Sequence, residues 1–441
     1  MLPGGAAADR KEVVAVRAPE LAAGAWYRSR PLTLAELRGR VVLLDFFTFG
    51  CINCMRNLTV VRALNRHYGK ALTVVGIHSA KFDRERAPEA LQSALERLGI
   101  DYAVVDDGDR KLADAYAIKG WPTNVLIDAR GYIAATMTGE GKMQTFQKIL
   151  ADMGVQPEGK DGRTPEAVER GLRFPEKVLA AEAFLAVANS GAGEVWLCGY
   201  DKEVRRVFGG FKHPAGMAWA PPLLYVADAA AGTVTVIDTE SGARRIFLEG
   251  LRSPWDLQIA GERLLVAEAG SHRIAAYDME SARETAVWGN RFEALRDGDY
   301  EAAQLAQPSG LTLLGEQLWF VDAESSSLRY IEAGRVRTVL GEGLFSYGDD
   351  EEGSAPLQHP QGVIAGQYGD GCGGGRIFVA DTYNGKVKVF DPEAGTVMTL
   401  LDTLHEPGGI AKKGCTLYIA DTHAHAVIAF DLPTMTQSLF L

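Results

Sequence analysis

The second part of the chain repeats one pattern six times: a proline, an apolar segment, a turn, and an apolar segment ending in an acidic or amide residue. In five units the proline and that last residue are 14 positions apart, as in Pro175 and Asn189, Pro214 and Asp228, Pro254 and Glu268, Pro308 and Asp322, and Pro407 and Asp421. The remaining pair, Pro360 and Asp381, is 21 apart because GDGCGGG and its neighbours lengthen one turn. Units of about 40 residues, each long enough for four short strands, predict an all-β six-bladed propeller over residues 174–441.

Differences between the units predict where loops lie. The third and fourth units carry extra residues at 291–307 and 344–359, and we expect surface loops at both places. The acids that end the strands recur by repetition, so we expect them to form turns rather than to catalyse a reaction. Segments such as DTYNGKVKVFD at 381–391 resemble NHL repeats, a propeller-forming family, and this resemblance implies NHL-type blades.

Residues 14–153 follow another pattern, in which strand-like and helix-like segments alternate. VVLLDFF at 41–47 is almost wholly apolar, as expected of a strand buried on both faces, and residues 54–68 have the apolar spacing of a helix. Such alternation predicts an α/β layer fold with a largely parallel central sheet. The polar segment 154–173 contains Pro and Gly and is predicted to link the two domains.

A Cys-Ile-Asn-Cys motif, formed by Cys51 to Cys54, carries the clearest chemical information. It follows the buried strand and opens the helix, and a helix N-terminus stabilises a thiolate, the reactive form of cysteine. A second cysteine three residues later can attack a mixed disulfide and release the partner. We therefore expect Cys51, as the outermost thiol, to attack and Cys54 to resolve.

Two further features accompany this motif. Asp45 lies in the middle of the apolar strand, where an ionised carboxylate is costly, so we expect an acid of raised pKa near the sulfurs. Trp121, Pro122 and Thr123 precede the strand-like segment NVLID. Together these residues resemble the thioredoxin superfamily, in its TlpA-like or redoxin branch. The resemblance implies that Asp45 accepts a proton, that Pro122 is a cis-proline, and that 121–123 line the groove for a partner polypeptide.

Other uses of the cysteines were weighed. A zinc site needs more ligands, and Cys198, Cys372 and Cys415 are single and scattered, so neither a metal nor a cofactor is expected. We expect Cys198 and Cys415 to be small apolar strand residues, and Cys372 lies in a glycine-rich turn with no evident partner. A thiol peroxidase stays an alternative, because Thr48 and the two residues after it complete a TxxC pattern with the first cysteine of the motif.

Composition excludes some partners. The chain has 57 Asp and Glu against 46 Lys and Arg, a net charge of −11, which disfavours nucleic acid and anionic membrane surfaces. The N-terminus lacks the pattern of a secretory signal, and the longest apolar run is far shorter than a membrane helix of about 20 residues. We therefore expect a soluble, cytoplasmic protein; its oligomeric state is left open.

The stretches FFTFGCINCMRNL, GIHSAKF, GWPTNVLID and GEGK, with the order of the domains, resemble the thioredoxin-like/NHL-repeat fusion family. Animal members continue into a further β-stranded domain, which we expect this chain to lack because it stops at Leu441. The resemblance favours a thiol-disulfide oxidoreductase whose propeller presents or selects a protein partner that carries a thiol or a disulfide. The alternative of a different class is a non-catalytic scaffold that binds a partner through the propeller and the groove between the domains.

Overall fold

The computed structural model of the 441-residue chain describes residues 16–139, 142–158, 171–349, 356–369 and 371–441. Outside these ranges lie parts of several predicted features, namely the start of the 14–153 domain, GEGK, GDGCGGG, the 154–173 linker and the 344–359 loop. The chain separates into two compact units. The first comprises residues 1–80 and 100–164, and the second comprises 81–99 and 165–441. Residues 81–99, although they interrupt the first unit in sequence, therefore belong to the second.

The first unit is built on a six-stranded sheet of order β1-β4-β3-β2-β5-β6. Its strands are β1 Trp26–Tyr27, β2 Val41–Phe47, β3 Leu72–His78, β4 Ala103–Asp106, β5 Thr123–Ile127 and β6 Ile133–Thr138. Only the pairings of β2 with β3 and of β3 with β4 are parallel. The prediction of a largely parallel sheet is therefore wrong, because β5 returns antiparallel onto β2 and continues into a hairpin with β6.

In the described residues the α-helices are α1 Ile52–Tyr68, α2 Pro88–Arg97, α3 Lys111–Ala115 and α4 Met143–Asp152. Every residue of β2 is buried, as its apolar sequence predicts. Leu58, Val61 and Leu64 of α1 are at most 3% exposed, and each contributes about 1.5–3 kcal/mol by leaving water. Among the helices that the structure describes, none has the length and apolarity that crossing a bilayer requires.

The second unit contains six antiparallel sheets in chain order, which confirms the predicted six-bladed propeller. Blades 1 to 3 are β7 Pro175–Ala180, β8 Leu185–Asn189, β9 Glu194–Cys198, β10 Val204–Phe208; β11 Pro214–Ala220, β12 Leu223–Asp228, β13 Thr233–Asp238, β14 Arg244–Leu248; β15 Pro254–Ala260, β16 Arg263–Glu268, β17 Arg273–Asp278 and β18 Glu284–Trp288. Blades 4 to 6 are β19 Gly298–Asp299, β20 Pro308–Leu314, β21 Gln317–Asp322, β22 Ser327–Glu332, β23 Arg335–Leu340; β24 Gly362–Ala365, β25 Ile377–Asp381, β26 Lys386–Asp391, β27 Thr396–Leu401; β28 Pro407–Lys413, β29 Thr416–Asp421, β30 Ala426–Asp431 and β31 Thr436–Leu439.

The constant spacing of proline and acid has a simple structural cause. In all five units with a spacing of 14 the two residues are directly paired across the first hairpin of the blade, as Pro214 is with Asp228. The acid also accepts backbone N–H groups from the segment that enters the blade; Asp228 does so from Lys212 and His213 at 2.7 and 3.0 Å. These acids therefore shape the turns, in agreement with their predicted role.

Blade 4 departs from the pattern, and the prediction that 291–307 is a surface loop is wrong. This segment supplies β19, which pairs with β23 as a fifth strand, and its Leu305 is fully buried. The cause is Arg329 on β22, a guanidinium with no solvent exposure. It donates to the carbonyl oxygens of Gln304 and Arg296, both at 2.9 Å, so the extra segment provides the acceptors that this buried cation requires.

The ring closes between blades 6 and 1. Each sheet consists of strands that are consecutive in the chain, so among the described strands none is shared between these two blades. Their first strands, β28 and β7, lie side by side, and the joint is filled by buried side chains such as Val187, Tyr418 and Phe440. Closure of the ring thus depends on side-chain packing and a few polar contacts.

Cys372 and Cys415 form a disulfide, with their Cα atoms 5.2 Å apart. The expectations that Cys415 only fills a strand and that Cys372 has no partner are therefore wrong. The lengthened turn between β24 and β25 places Cys372 beside the turn between β28 and β29, which carries Cys415. Cys198 is fully buried on β9, as expected for a small apolar strand residue.

Candidate functional site

Cys51 and Cys54 lie where β2 gives way to α1. Cys51 is the N-cap residue of α1, and the helix begins when Met55 N–H donates to the carbonyl oxygen of Cys51 at 3.1 Å. Among the described residues, no side chain caps this N-terminus and no acidic residue lies in its first turn. The positive end of the helix dipole is therefore not offset by a neighbouring carboxylate in that turn, which favours negative charge on a sulfur there.

Both cysteines are buried. Cys51 is 2% exposed and Cys54 is 1% exposed. The exposed fractions of the two residues are nearly equal, so they do not support the prediction that Cys51 is the outermost thiol. Their positions on the helix still differ, because Cys51 precedes the first turn whereas Cys54 lies within it.

The loop formed by Trp121, Pro122 and Thr123 is distant from the cysteine motif in sequence but contacts it in the fold. The Trp121–Pro122 peptide bond is cis. The Sγ atom of Cys51 lies 4.0 Å from the carbonyl oxygen of Trp121, 70 residues away in the chain. The loop is held by Thr123, whose hydroxyl donates to the carbonyl oxygen of Gly120 at 2.7 Å. The structure thus brings the first cysteine and the cis-proline loop together.

Asp45 is fully buried on β2 and accepts hydrogen bonds only from neutral groups among those described. Asn124 Nδ2 and Asn57 Nδ2 donate to its Oδ1 at 2.7 and 3.1 Å, and the hydroxyl of Tyr102 lies 3.5 Å from Oδ2. Burial raises the pKa of Asp45 to about 7, although these hydrogen bonds act in the opposite direction. The carboxyl group therefore changes its protonation state near neutral pH. A raised pKa is what the position of Asp45 in an apolar strand predicts.

Asn57 joins this carboxylate to helix α1. It lies three residues after Cys54 in α1, so both side chains emerge on the same face of the helix. Its contact with Asp45 therefore brings the carboxyl group to the helix face that carries the second cysteine. Sequence reasoning missed Asn57 and Asn124, although a polar residue among the buried positions of α1 was a signal that could have found the first.

Two other residues near this end of the sheet were also missed. His78 ends β3, is fully buried, and stacks on Phe49 with ring centroids 5.1 Å apart. Its Nδ1 lies 3.7 Å from Asp106, beyond hydrogen-bond length. Arg110 places its guanidinium 4.7 Å from the ring centroid of Trp121, which adds a cation beside the cis-proline loop.

In the second unit, residues 81–99 lie against the propeller end where second strands join third strands. Three cations of this segment pair with propeller carboxylates that are at most 5% exposed. The pairs are Lys81 with Glu324 at 3.0 Å, Arg84 with Glu406 at 3.0 Å and Arg97 with Glu176 at 3.3 Å. Because a buried charge needs a partner, the segment and this end of the propeller are electrostatically complementary.

An aromatic anchor completes this contact. Phe82 is fully buried, with ring centroids 5.2 Å from His359 and 5.7 Å from Tyr383. The hydroxyl of Tyr383 donates to Glu85 at 3.3 Å. Part of the propeller end is therefore occupied by the chain's own segment.

Comparison with known proteins agrees with this architecture. A family model described as thioredoxin-like matches residues 39–133. Protein SUPPRESSOR OF QUENCHING 1, chloroplastic, of Arabidopsis thaliana is 29% identical over 488 residues, covering 92% of this chain and 46% of that protein. NHL repeat-containing protein 2 of Bos taurus is 31% identical over 502 residues, covering 92% of this chain and 68% of that protein. Thiol-disulfide oxidoreductase ResA of Bacillus subtilis is 26% identical over 111 residues, covering 24% of this chain and 58% of that protein.

The chain spans about half the length of the plant relative and about two thirds of the bovine one. The aligned region nevertheless takes in nearly the whole of this chain, so the likeness extends over both units. The thioredoxin-like match lies in the part that carries the cysteine motif. The chain therefore belongs to the family of NHL repeat-containing protein 2, with a thioredoxin-like domain followed by a six-bladed NHL-type propeller.

Proposed function

We propose that this protein is a thiol-disulfide oxidoreductase that acts on a protein partner through Cys51 and Cys54. The observation that carries the proposal is the position of Cys51, at the N-terminus of α1 and 4.0 Å from the carbonyl oxygen before the cis-proline. A thiolate at a helix N-terminus is a nucleophile, and by the resemblance to the thioredoxin superfamily we expect residues 121–123 to receive an extended partner polypeptide.

The exchange proceeds in two steps. The Cys51 thiolate attacks one sulfur of the partner's disulfide, and the other partner sulfur leaves as a thiolate that takes up a proton. Cys54 then loses its proton and attacks the Cys51 sulfur of the mixed disulfide, which releases the second partner thiolate. Two electrons pass to the partner, and Cys51 and Cys54 become a disulfide; the reverse sequence oxidises a partner dithiol.

Asp45 is the proposed acceptor of the Cys54 proton. Asn57 brings the Asp45 carboxyl group to the Cys54 face of α1, and a pKa of about 7 allows the carboxylate to take a proton and return it near neutral pH. The rate of resolution should therefore rise with pH through about 7 in the native protein. In Asp45→Asn this step in the pH–rate profile should disappear, as measured by stopped-flow kinetics of mixed-disulfide decay.

Insulin reduction and intermediate trapping test the proposal directly. We expect Cys51→Ser to abolish insulin reduction, because among the described thiols Cys51 is the one at an N-cap position beside the cis-proline loop. We expect Cys54→Ser to retain the first attack and to accumulate a mixed disulfide with the partner, visible on a non-reducing gel.

Cys198→Ser is the matched control, since Cys198 is fully buried and its pKa is raised to about 12 by burial. It should reduce insulin at the native rate. Retention of insulin reduction by Cys51→Ser, or an equal loss in Cys198→Ser, would contradict the assignment of Cys51.

A second candidate function, a non-catalytic interaction scaffold, is favoured by the low exposure of Cys51, only 2%. A partner must gain access to this sulfur before exchange, whereas binding through the propeller does not require it. The two candidates separate in one experiment: partner binding and phenotype that persist unchanged in Cys51→Ser support the scaffold. Their loss, with trapping retained in Cys54→Ser, supports the oxidoreductase.

A further inference from the structure

The Cys372–Cys415 disulfide lies at the propeller end opposite to the one that residues 81–99 contact. Both cysteines are in segments that join the first strand of a blade to the second, in blades 5 and 6 respectively. Residues 81–99 instead contact the turns between second and third strands and the segments that enter the blades. The disulfide is thus separate from the propeller end that residues 81–99 contact.

The disulfide joins blade 5 to blade 6, and blade 6 is the blade at which the ring closes onto blade 1. The turn before Cys415 already reaches blade 1, because the ammonium group of Lys413 donates to the carbonyl oxygens of Ala181, at 3.4 Å, and Glu182. On its other side Cys415 is covalently joined to the long turn of blade 5. Residues 413–415 therefore contact both neighbours of blade 6, in addition to the packing of side chains across the joint.

The turn of blade 5 is shaped to deliver Cys372. Its base is closed by Gly375 N–H, which donates to the carbonyl oxygen of Gly366 at 2.8 Å. Gly373 next to the cysteine has a φ of +81°, and a Cβ atom there would lie 2.6 Å from the ring of Phe378. The path of the turn therefore depends on glycine, and the seven residues added to this unit's spacing provide the length that reaches blade 6.

The disulfide joins residues that are nearer to solvent than the third cysteine of the propeller. Cys372 and Cys415 are both half-buried and sit on turns, whereas Cys198 is fully buried in a strand. Lys412 donates from its ammonium group to the carbonyl oxygen of Gly414, the residue before Cys415, at 2.7 Å, a contact that orders the backbone of this turn.

We propose that Cys372 and Cys415 form a second, reversible thiol-disulfide site, which takes a dithiol reductant and controls how firmly blade 6 is fastened in the ring. One reductant thiolate attacks the Cys372 sulfur, the sulfur–sulfur bond breaks, and Cys415 leaves as a thiolate that takes a proton. The second thiol of the reductant loses a proton and displaces Cys372 from the mixed disulfide. Two electrons and two protons reach the cysteine pair, and the reductant becomes a disulfide.

The test uses the full-length protein and dithiothreitol. Trypsin should yield one peptide of residues 338–376 and another of 414–441, each with a single cysteine. Without reductant we expect these peptides to appear by mass spectrometry as one crosslinked species that resists alkylation under native conditions. With dithiothreitol, still under native conditions, the crosslinked species should be lost and both cysteines should be alkylated, while Cys198 stays unlabelled and reports that the fold is intact.

Hydrogen exchange tests the consequence for the ring. Reduction should raise exchange in blade 6, over β28 to β31, and leave blade 3 unchanged. Cys372→Ser should show the same increase without reductant, and Cys415→Ser serves as a second variant if the first fails to fold. Alkylation of both cysteines without reductant, reduction only after denaturation, or unchanged exchange in blade 6 would each overturn the proposal.

Discussion

The two units each bury a carboxylate almost completely, but they surround it differently. Asp45 in the first unit contacts only neutral donors among the described residues, and burial raises its pKa to about 7. Glu176 in the second unit lies 2.7 Å from the His213 ring and 3.3 Å from the Arg97 guanidinium. Although burial acts to raise the pKa of Glu176, these two cations hold it below its ordinary value.

This difference separates a carboxyl group suited to proton transfer from one suited to structure. An acid that is half ionised near neutral pH can accept and return a proton, whereas one held in its charged form by two cations cannot. The contrast also has opposite consequences for stability. Ionised Asp45 destabilises the first unit, while ionised Glu176 stabilises the second, so these two groups should contribute to the pH dependence of stability in opposite directions.

Removing the charge of Glu176 should give the largest effect. Glu176→Gln leaves Arg97 and His213 without their counter-charge, and the loss of one partner from a buried pair costs about 3–5 kcal/mol. Trp255 stacks on His213 with ring centroids 5.4 Å apart. Trp255 fluorescence during urea unfolding, or hydrogen exchange around these residues, therefore measures the loss in the free energy of unfolding.

The control for this prediction is a surface pair. Asp299 and Arg335 lie 3.1 Å apart, but their side chains are 65% and 52% exposed. Asp299→Asn should therefore cost less than about 1 kcal/mol. If the two substitutions lowered the free energy of unfolding equally, burial would not be what distinguishes the Glu176 pair, and the comparison would fail.

Replacing Asp45 should change the pH dependence of the first unit. Its pKa rises from an ordinary 3.8 to about 7 on folding, so its favourable contribution is complete below 3.8 and is lost as pH rises through about 7. That shift corresponds to about 4 kcal/mol in the free energy of unfolding. Asp45→Asn should remove most of this slope between pH 4 and 7 in denaturant titrations that monitor the first unit.

Asp128→Asn provides the comparison on the same sheet. Asp128 directly follows β5. Its partial burial raises its pKa, but hydrogen bonds from Tyr132 and Arg130 outweigh this effect and hold the pKa below the ordinary value. Its replacement should leave the decline between pH 4 and 7 in place. A native protein whose stability does not fall over this interval would show that Asp45 is not the buried acid described.

Local patterns in the sequence predicted the framework of both units. The strand at 41–47 was found because its residues are apolar on both faces, and all of them are buried. The propeller was found because a proline is paired across a hairpin with an acid in four blades and with an asparagine in a fifth, which imposes a constant spacing. The cysteine motif was found by its position between a buried strand and a helix, and the cis-proline by resemblance to a known superfamily; their proposed roles stay predictions.

Contacts between distant segments could not be predicted in this way. Cys372 and Cys415 are 43 residues apart, and Asn124 is 79 residues from Asp45. The segment 81–99 shows basic residues and one Phe but no periodic signal that points to the propeller. Such contacts follow from the register of strands and from the path of turns, and a single sequence does not encode these in a repeated spacing.

The smallest expected effect concerns the neutral donors around Asp45. Each hydrogen bond stabilises the ionised carboxyl group, so its removal should raise the pKa further above 7. Asn124→Ala, which removes the 2.7 Å bond, should move the pH midpoint upward by about one to two units, since such a bond is worth about 1.5–3 kcal/mol. Asn57→Ala should move it less and Tyr102→Phe least, in the order of their distances of 3.1 and 3.5 Å. The midpoint is read from the pH dependence of unfolding in each variant, and a downward shift in any of them would mean that the donor does not act on the charged form of Asp45.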